Sequence, residues 1–275
     1  MAKKLSPSDA ALHEYTSTGE DERFLLEPLK RAGPRPVLSA PREAKKNYAE
    51  RLSRALAMMM ADRLRPKYRG RQHTITPTAD EQEHEASVSG EGGSKRVDVA
   101  VWHRRDGLLL DLSIKTLSFQ DWDEKKKRAG RYTKNMSRND HELQAEASRI
   151  HRRQPYAVLA GLMFMPMSSC DDGERDKSSF AHAVVTFRER SGRLGPDDLR
   201  YERFERFFIA LYQYEGPEAG QVRFFDVARA PPRQRRPTHQ ETLSLAQVAD
   251  ALVEDVASRN NPEPEWADDK DNNTN

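Results

Sequence analysis

The alternation of apolar and polar positions is clearest between residues 95 and 119. It predicts two strands joined by a tight Asp106-Gly107 turn, because side chains alternate between the faces of a strand and Asp-Gly favours two-residue hairpins. The apolar positions of the two strands are, in chain order, Val97, Val99, Val101, Leu108, Leu110, Leu112 and Ile114. The opposite face carries charge, which is costly on an otherwise apolar hairpin unless it is paired or used. We therefore expect this hairpin at the centre of a sheet, with a use for its polar face.

Counting outward from the turn predicts which polar side chains meet across the hairpin. With Asp-Gly at the centre of the turn, Ala100 pairs with Ser113 and Asp98 pairs with Lys115. Paired residues have Cβ atoms ~5 Å apart and diagonal ones ~7–8 Å, so Asp98, Ser113 and Lys115 form one polar cluster. Asp111 lies about 13 Å from Lys115 along the strand, at ~3.3 Å per residue, and joins the cluster only if a β-bulge shifts the register.

The hydrophobic pattern around the hairpin predicts alternating helices and strands. Residues 41–66 have apolar side chains at helical spacing, and residues 156–166 form the nearly continuous apolar run of a strand buried on both faces. A weaker pattern favours a strand at residues 85–89, and a second helix at residues 141–153 follows a charged loop at residues 120–140. The predicted order is therefore helix, strand, strand, strand, helix, strand.

The pattern after this region predicts a C-terminal α/β extension. Its predicted elements are a strand at residues 179–187, a helix at residues 200–215 with a strand as the alternative at its end, a strand at residues 221–228 and an amphipathic helix at residues 243–259. The two ends of the chain differ in composition. Residues 1–40 are rich in Pro, Ser and charge and predict a loosely ordered segment, and residues 260–275 predict a disordered acidic tail.

Composition indicates a polar globular protein. Charged residues make up 33% and hydrophobic residues 36% of the 275 residues, and the net charge of +2 favours no class of partner. A single cysteine, Cys170, excludes an internal disulfide and favours a reducing compartment. The first residues lack the apolar core of a signal peptide, and no apolar run approaches the ~18 residues that span a membrane. We therefore expect a soluble cytoplasmic protein with no membrane partner.

This order of elements resembles that of the PD-(D/E)xK nuclease superfamily. The resemblance extends to an acidic residue on the second strand and to Ser113-Ile114-Lys115 at the end of the third. That family includes many restriction endonucleases and DNA-repair nucleases. Val97-Asp98 matches its Pro-Asp, and Ser113-Ile114-Lys115 matches its (Asp/Glu)-x-Lys. The resemblance covers residues 41–166 and implies a restriction-endonuclease-like core, an α/β fold with a mixed central sheet flanked by helices. A nuclease-like domain at residues 41–259 would combine this core with the extension at residues 167–259.

The sequence departs from the family pattern at two positions. Val97 replaces proline, and Ser113 replaces the second carboxylate, so one metal ligand of the motif is missing. Some restriction enzymes of the family have a similar Ser-x-Lys and recover the acid from the helix that follows. Here Glu142 or Glu146, one turn apart, would do so, and Glu50 on the first helix matches a place where some members add an acid.

Each of these residues also has a purely structural interpretation. Asp98 and Lys115 would form a cross-strand ion pair, which contributes little when exposed. Glu142 would fold back on the start of its helix in a capping box that begins at Asn139. Glu146 would be a solvated side chain that pairs with an arginine of its own helix.

The resemblance implies a Mg²⁺-dependent reaction, with Mn²⁺ as an alternative ion. Carboxylates would hold the metal, because hard cations prefer oxygen ligands and lower the pKa of a bound water. The candidate metal ligands are Asp98, Glu142, Glu146 and Glu50. Lys115 would orient the attacking water and neutralise phosphate charge, and Ser113 would only hydrogen-bond a water or ligand.

The loop that follows the Lys115 strand is strongly basic and predicts a contact with nucleic acid. Its cations are Lys125, Lys126, Lys127, Arg128, Arg131 and Lys134. Such a segment can follow phosphates and supply affinity that does not depend on base sequence. A solvated charged loop without a partner is the plain alternative.

Together these residues predict a Mg²⁺-dependent endonuclease that hydrolyses DNA phosphodiester bonds, and the family alone implies a role in restriction or anti-phage defence. The partner would be DNA, with RNA left open, and a homodimer or a partner protein of a defence system is also left open. Because Ser113 replaces a carboxylate, the alternative is a catalytically inactive nuclease-fold protein. Such a protein would bind nucleic acid or serve as a subunit of a larger defence complex.

Overall fold

The computed structural model describes residues 23–68, 72–78, 86–90, 93–173 and 177–259. The helices are α1 (Leu26–Ala32), α2 (Arg42–Leu64), α3 (Met136–His151), α4 (Ser179–Arg188) and α5 (Leu245–Arg259). The strands are β1 (His73–Thr76), β2 (Ala86–Gly90), β3 (Gly93–Val97), β4 (Val99–His103), β5 (Gly107–Thr116), β6 (Trp122–Asp123), β7 (Arg128–Ala129), β8 (Val158–Pro166), β9 (Arg206–Tyr212) and β10 (Val222–Asp226). Within these described ranges, no helix is long and apolar enough to cross a membrane. The predicted acidic tail and residues 1–22 of the predicted loose segment lie outside the described residues.

A six-stranded mixed sheet forms the centre of the structure, in the order β1-β4-β5-β8-β9-β10. β4 runs antiparallel to both β1 and β5, β8 runs parallel to both β5 and β9, and β10 returns antiparallel to β9. The two parallel connections carry α3 and α4, as parallel strands require a long crossover. β2–β3 and β6–β7 form separate two-stranded hairpins. The predicted α/β class, with a mixed sheet flanked by helices, is confirmed.

Helices cover both faces of the sheet, and the sheet separates the core into two parts. On one face, Leu56 of α2 and Leu252 of α5 share a core with Leu112 of β5. On the other face, Leu143 of α3 packs with Phe187 of α4. β8 is buried along its whole length, which agrees with its continuous apolar run. The predicted helices at α2 and α5 and the predicted strands at β8 and β10 are confirmed.

The region before the central hairpin contains a helix and a strand that the pattern does not predict. α1 lies within the predicted loose segment, and β1 pairs with β4 at the edge of the main sheet. The strand predicted at residues 85–89 corresponds to β2, which pairs with β3 outside the main sheet. The main sheet still follows the order helix, strand, strand, strand, helix, strand, with β1 as its first strand.

Residues 179–187 form α4, so the strand predicted there is wrong. The Ser178 hydroxyl caps this helix by accepting a hydrogen bond from the Ala181 amide at 3.2 Å. The buried stripe of the helix includes, at helical spacing, Phe180, Ala183, Val184 and Phe187. The β-branched residues of this segment favour strands, but burial of the helical stripe outweighs that preference.

Residues 206–212 form strand β9, so the helix predicted at residues 200–215 is wrong and its strand alternative is correct. β9 lies between β8 and β10, and both neighbours satisfy its backbone hydrogen bonds. Six of its residues in succession are buried, as in a central strand covered on both faces. The aromatic residues of the segment thus fill the core on both sides of the sheet.

A β-bulge changes the register of the central hairpin. Trp102 pairs with Leu108 whereas Val101 pairs with Leu110, so Leu109 is the extra residue of β5. Leu108 packs in the core on the α3 side of the sheet, and Leu109 packs in the core on the α2 side. The predicted face of Leu108 is therefore wrong, and so is that of Val97, which packs in the core on the α3 side. The faces predicted for the other apolar positions of the hairpin agree with the structure.

Every cross-strand pair of this hairpin differs from the count made outward from the turn. The connection is Arg104-Arg105-Asp106, and Gly107 already pairs with His103, so the predicted two-residue turn at Asp106-Gly107 is wrong. Ala100 pairs with Asp111, so its predicted pairing with Ser113 is wrong. Asp98 lies in a bend just before β4, and continuing the observed register by one pair brings it opposite Ser113. The predicted pairing of Asp98 with Lys115 is therefore also wrong.

A buried ionic network joins elements at the N-terminal ends of β8 and β9. Glu205 Oε1 accepts hydrogen bonds from Arg193 at 2.9 Å and from Arg259 at 3.2 Å. Its Oε2 accepts from the Leu159 amide at 2.8 Å and lies 3.2 Å from His151 Nε2. Burial acts to raise the pKa of Glu205, but the His151 contact, the amide and Arg259 together lower this pKa below its ordinary value.

Replacement of Glu205 tests the importance of this network. Glu205→Gln should lower the free energy of unfolding by about 3–5 kcal/mol, because Arg193 would keep a buried charge without a counter-charge. Urea unfolding followed by circular dichroism measures the change. Glu189→Gln is the matched control and should change stability little. Glu189 is 70% exposed, and its contact with Arg203 is a long one, at 3.9 Å. Equal losses in the two variants would contradict the importance of the network.

The lowered pKa of Glu205 fixes the sign of the pH dependence. The native state binds a proton less readily than the unfolded chain, so the contribution of Glu205 is fully present above its ordinary pKa of 4.5. It is lost as the pH falls through the lower, folded pKa. The stability difference between the parent and Glu205→Gln should therefore shrink when unfolding is measured at progressively more acidic pH.

Gly161 lies where β8 leaves no room for a side chain. A Cβ at this position would lie 2.2 Å from the ring of Phe207. That ring cannot yield easily, because it stacks on Phe187 with centroids 4.8 Å apart. Gly161 also pairs with Ser113 of β5, so its backbone positions part of the hairpin's polar face.

Gly161→Ala should lower the free energy of unfolding by about 1–3 kcal/mol through overpacking. Gly195→Ala is the control, because nothing lies within 4 Å of a Cβ at that position. It should be neutral or slightly stabilising, since alanine restricts the unfolded chain. Thermal unfolding of both variants distinguishes the two effects, and a neutral Gly161→Ala would show that Phe207 can move without cost.

Candidate active site

Helix α3 places a carboxylate against the serine that replaces the acid of the motif. The Ser113 hydroxyl donates to Glu146 Oε1 at 2.5 Å. Ser113 is 0% exposed and Glu146 is 4% exposed, so the interpretation of Glu146 as a solvated residue is wrong. The alternation of side chains along β5 turns Ser113 toward α3 and its neighbours Leu112 and Ile114 into the opposite core.

Lys115 and Glu142 meet one helical turn closer to the start of α3. The Lys115 ammonium lies 3.8 Å from Glu142 Oε2. The other oxygen, Oε1, accepts a hydrogen bond from Arg138 Nε at 2.7 Å. Two cations therefore share the charge of Glu142 in this structure.

Asp98 reaches the same strand from the bend between β3 and β4. Its Oδ2 accepts a hydrogen bond from the Ile114 amide at 2.6 Å. Ile114 is the middle residue of the three-residue motif. Asp98 and the two glutamates of α3 therefore contact three successive residues of β5.

Two simpler explanations of these residues disagree with the structure. A capping box that begins at Asn139 is wrong, because α3 begins at Met136, with Asn135 before it. A direct ion pair between Asp98 and Lys115 is also wrong, since the acidic partner of that lysine is a glutamate of α3.

The structure places the remaining two acidic candidates differently. Glu50 lies on α2 and pairs with Lys46 at 3.4 Å, while the buried side of that helix packs on the sheet face opposite α3. Asp111 is wholly buried on β5, two positions before Ser113. Asp111 pairs with Ala100, so it lies nearer to the start of β4 than the count from the predicted turn would place it.

The oxygen donors at this site suit a hard cation. Among the residues that the structure describes, no three His, Cys, Asp or Glu side chains are grouped to hold a metal. Mg²⁺ needs only one or two carboxylates, because it keeps several waters and takes further oxygens from substrate phosphates. Asp98 and Glu146 meet this requirement in the type and number of their donors.

The predicted basic loop contains the small β6–β7 hairpin, with cations at its tip. Asp123 Oδ1 accepts from the amides of Lys125 and Lys126, both at 3.0 Å, and these bonds fix the turn. Lys127 forms an exposed ion pair with Glu124 at 2.8 Å. The side chains at the tip therefore extend into solvent from an ordered backbone.

The remaining cations of this loop differ in exposure. Arg128 and Lys134 are exposed, whereas Arg131 is partly buried and donates to the backbone carbonyl of Lys177. Tyr132 is 2% exposed and belongs to the core, so its ring does not face solvent beside these cations. The fully exposed side chains of this part of the chain are therefore mainly charged, and its other ring, that of Trp122, is partly exposed.

Arg138 belongs to the site although the sequence pattern does not reveal it. Its contact with Glu142 has the i, i+4 spacing of neighbouring side chains on one helix face. That signal depends on a helix that includes residue 138, but the predicted helix starts only at residue 141. The polar residues at the start of α3 carry no apolar period from which its true start could be read.

The site as a whole lies at the C-terminal end of β5 and combines a strand, a bend and one face of a helix. Its members are Asp98, Ser113, Lys115, Arg138, Glu142 and Glu146. Comparison of the chain with protein-family models, with curated proteins and with solved structures found no match.

Proposed function

We propose that this chain is a Mg²⁺-dependent endonuclease that hydrolyses DNA phosphodiester bonds. The observation that carries the proposal is the contact between Glu146 and Ser113, because it supplies a carboxylate where the strand lacks one. The resemblance to the PD-(D/E)xK family supports the reaction class. A role in restriction or anti-phage defence follows from that resemblance alone.

Two carboxylates and a serine would form the metal-binding part of the site. Asp98 and Glu146 would hold Mg²⁺, which when bound lowers the pKa of a water and neutralises phosphate charge. The Ser113 hydroxyl donates to Glu146 and thereby orients that carboxylate. Because both side chains are buried, water does not compete for this hydrogen bond.

Lys115 would supply positive charge at the same end of β5. Glu142, 3.8 Å away, holds the ammonium in place and leaves N–H donors for a phosphate oxygen or for the attacking water. Arg138 shares the charge of Glu142, so the glutamate does not fully neutralise the lysine. The strand thus presents a positioned cation beside the two candidate metal ligands.

Three single substitutions should remove most cleavage of supercoiled plasmid DNA in the presence of Mg²⁺. Asp98→Asn and Glu146→Gln each remove a carboxylate charge, and Lys115→Ala removes the positioned cation. We expect each variant to cleave about 10²–10⁴-fold more slowly, the range for loss of a positioned acid–base or charge-stabilising group. Glu50→Gln is the matched control and should cleave at the parent rate.

The outcomes of this assay separate the candidate functions. Cleavage that survives all three substitutions would overturn the assignment of the site. Binding of DNA by the parent protein without any cleavage would favour an inactive nuclease-fold protein that binds nucleic acid or serves in a defence complex. The serine at position 113 is the observation that favours that alternative.

A double substitution tests whether Glu146 stands in for the missing acid. Ser113→Asp combined with Glu146→Gln moves the carboxylate from the helix to the strand. The double variant should cleave about tenfold faster than Glu146→Gln alone, a difference of about 1.4 kcal/mol in activation free energy. Ser113→Asp alone should be slower than the parent, because it places two carboxylates side by side in a buried site. If the double variant is no faster than Glu146→Gln, Glu146 does not take the place of the missing acid of the motif.

A further inference from the structure

Three basic segments from distant parts of the chain lie side by side. Arg131, which follows the β6–β7 hairpin, donates to the backbone carbonyl of Lys177. The amide of the next residue, Ser178, donates to the carbonyl of Arg233 at 3.0 Å. These contacts join the hairpin, the start of α4 and the loop between β10 and α5 into one surface.

Further hydrogen bonds hold these segments in one arrangement. Asp172 accepts from the amide and the hydroxyl of Ser179, at 2.7 and 2.5 Å, and the Tyr132 amide donates to Ser179 Oγ at 3.0 Å. Arg236 donates twice to Asp171 Oδ2, at 3.0 and 2.6 Å. A backbone held in this way presents its charged side chains at a reduced entropic cost on binding.

Five cations of this surface have no acidic partner among the described residues. They are Lys125, Lys126, Arg128, Lys177 and Arg233, which we call the basic belt. All five are exposed, and none forms an ion pair with the residues that the structure describes, in contrast to their neighbours Lys127, Arg235 and Arg236. Those three neighbours pair with Glu124, Glu241 and Asp171, so these acidic groups do not neutralise the belt.

The pKa of His182 is consistent with this positive charge. Partial burial is the main cause that lowers the pKa, and the charges of Arg131 and Lys177 lower it further. His182 lies on the first turns of α4, so the positive field extends from the hairpin onto this helix.

The chemistry of the belt favours one kind of polyanion. The surface that carries the belt consists of the hairpin, residues 171–182 and residues 229–238. The large exposed apolar side chains of the described residues all lie outside it; they are Val37, Tyr156, Val185, Leu194 and Leu199. A protein partner would need an apolar centre in the interface, and single-stranded nucleic acid would need exposed aromatic rings for stacking. Fixed cations without such anchors suit the regularly spaced phosphates of a duplex.

We propose that the basic belt binds the phosphate backbone of duplex DNA next to the candidate active site. The proposal rests on the nuclease function proposed above. The hairpin connects β5, which carries Lys115, to α3, which carries Glu146, so the belt is joined along the chain to both elements of the candidate site. Lys177 and Arg233 lie in the C-terminal extension, which thereby gains a role in substrate binding.

Removal of charge from the C-terminal part of the belt tests this proposal. Lys177→Gln/Arg233→Gln changes two exposed side chains, and Lys30→Gln/Arg153→Gln removes the same charge from exposed positions elsewhere. Binding of a labelled DNA duplex is measured by fluorescence anisotropy over a range of salt concentrations, in EDTA so that no cleavage occurs. Relative to the control, we expect binding about tenfold weaker and a salt slope smaller by about 1.8, at ~0.9 for each lost phosphate contact.

Equal affinities and equal salt slopes for the two double variants would overturn the proposal that the basic belt binds DNA. A defect seen only with single-stranded DNA, with RNA or with an acidic peptide would overturn the assignment to duplex DNA. If the parent protein does not cut DNA but the belt variant binds duplex more weakly, the nuclease function fails and the belt stands. If the parent cuts DNA and the two variants bind alike, the belt fails and the nuclease function stands.

Discussion

A carboxylate buried between α3 and β5 places a strict requirement on the structure around it. Glu146 is 4% exposed, and a carboxylate in that position needs a donor or a cation to offset the loss of water. Ser113 supplies the donor, which requires β5 to present its polar face to α3. The docking of α3 and the approach of Asp98 meet at neighbouring residues of β5, because Asp98 bonds the amide of Ile114, the residue after Ser113.

The charges that stabilise the fold and those available for chemistry lie at opposite ends of the parallel strands. The network around Glu205 joins the beginnings of β8 and β9, where it is closed off from water. The candidate site around Lys115 lies at the end of β5, the end of the strands at which ligands of open α/β sheets bind. This separation allows one end of the sheet to be rigid and fully paired while the other retains a partly exposed lysine.

The sequence predicts those elements whose pattern is long and has a single period. The run that becomes β8 is buried throughout, and the apolar stripes of α2 and α5 have clear helical spacing. Three consecutive leucines at 108–110 carry no alternation, so nothing in the pattern locates the bulge at Leu109 or the register beyond it. In α4, β-branched residues obscure a helical stripe that only packing against the sheet makes decisive. Contacts such as that between Ser178 and Arg233 join distant segments, and no local pattern contains them.

The acidic side chains that contact β5 come from both sides of it along the chain: Asp98 precedes the strand, and the glutamates of α3 follow it. A growing polypeptide therefore has no complete site when β5 first emerges from the ribosome. Docking of α3 also depends on β8, because Gly161 of that strand pairs with Ser113 beside the helix. On the proposed function, the topology itself would delay attack on DNA until most of the domain has been synthesised and folded, without a separate inhibitor.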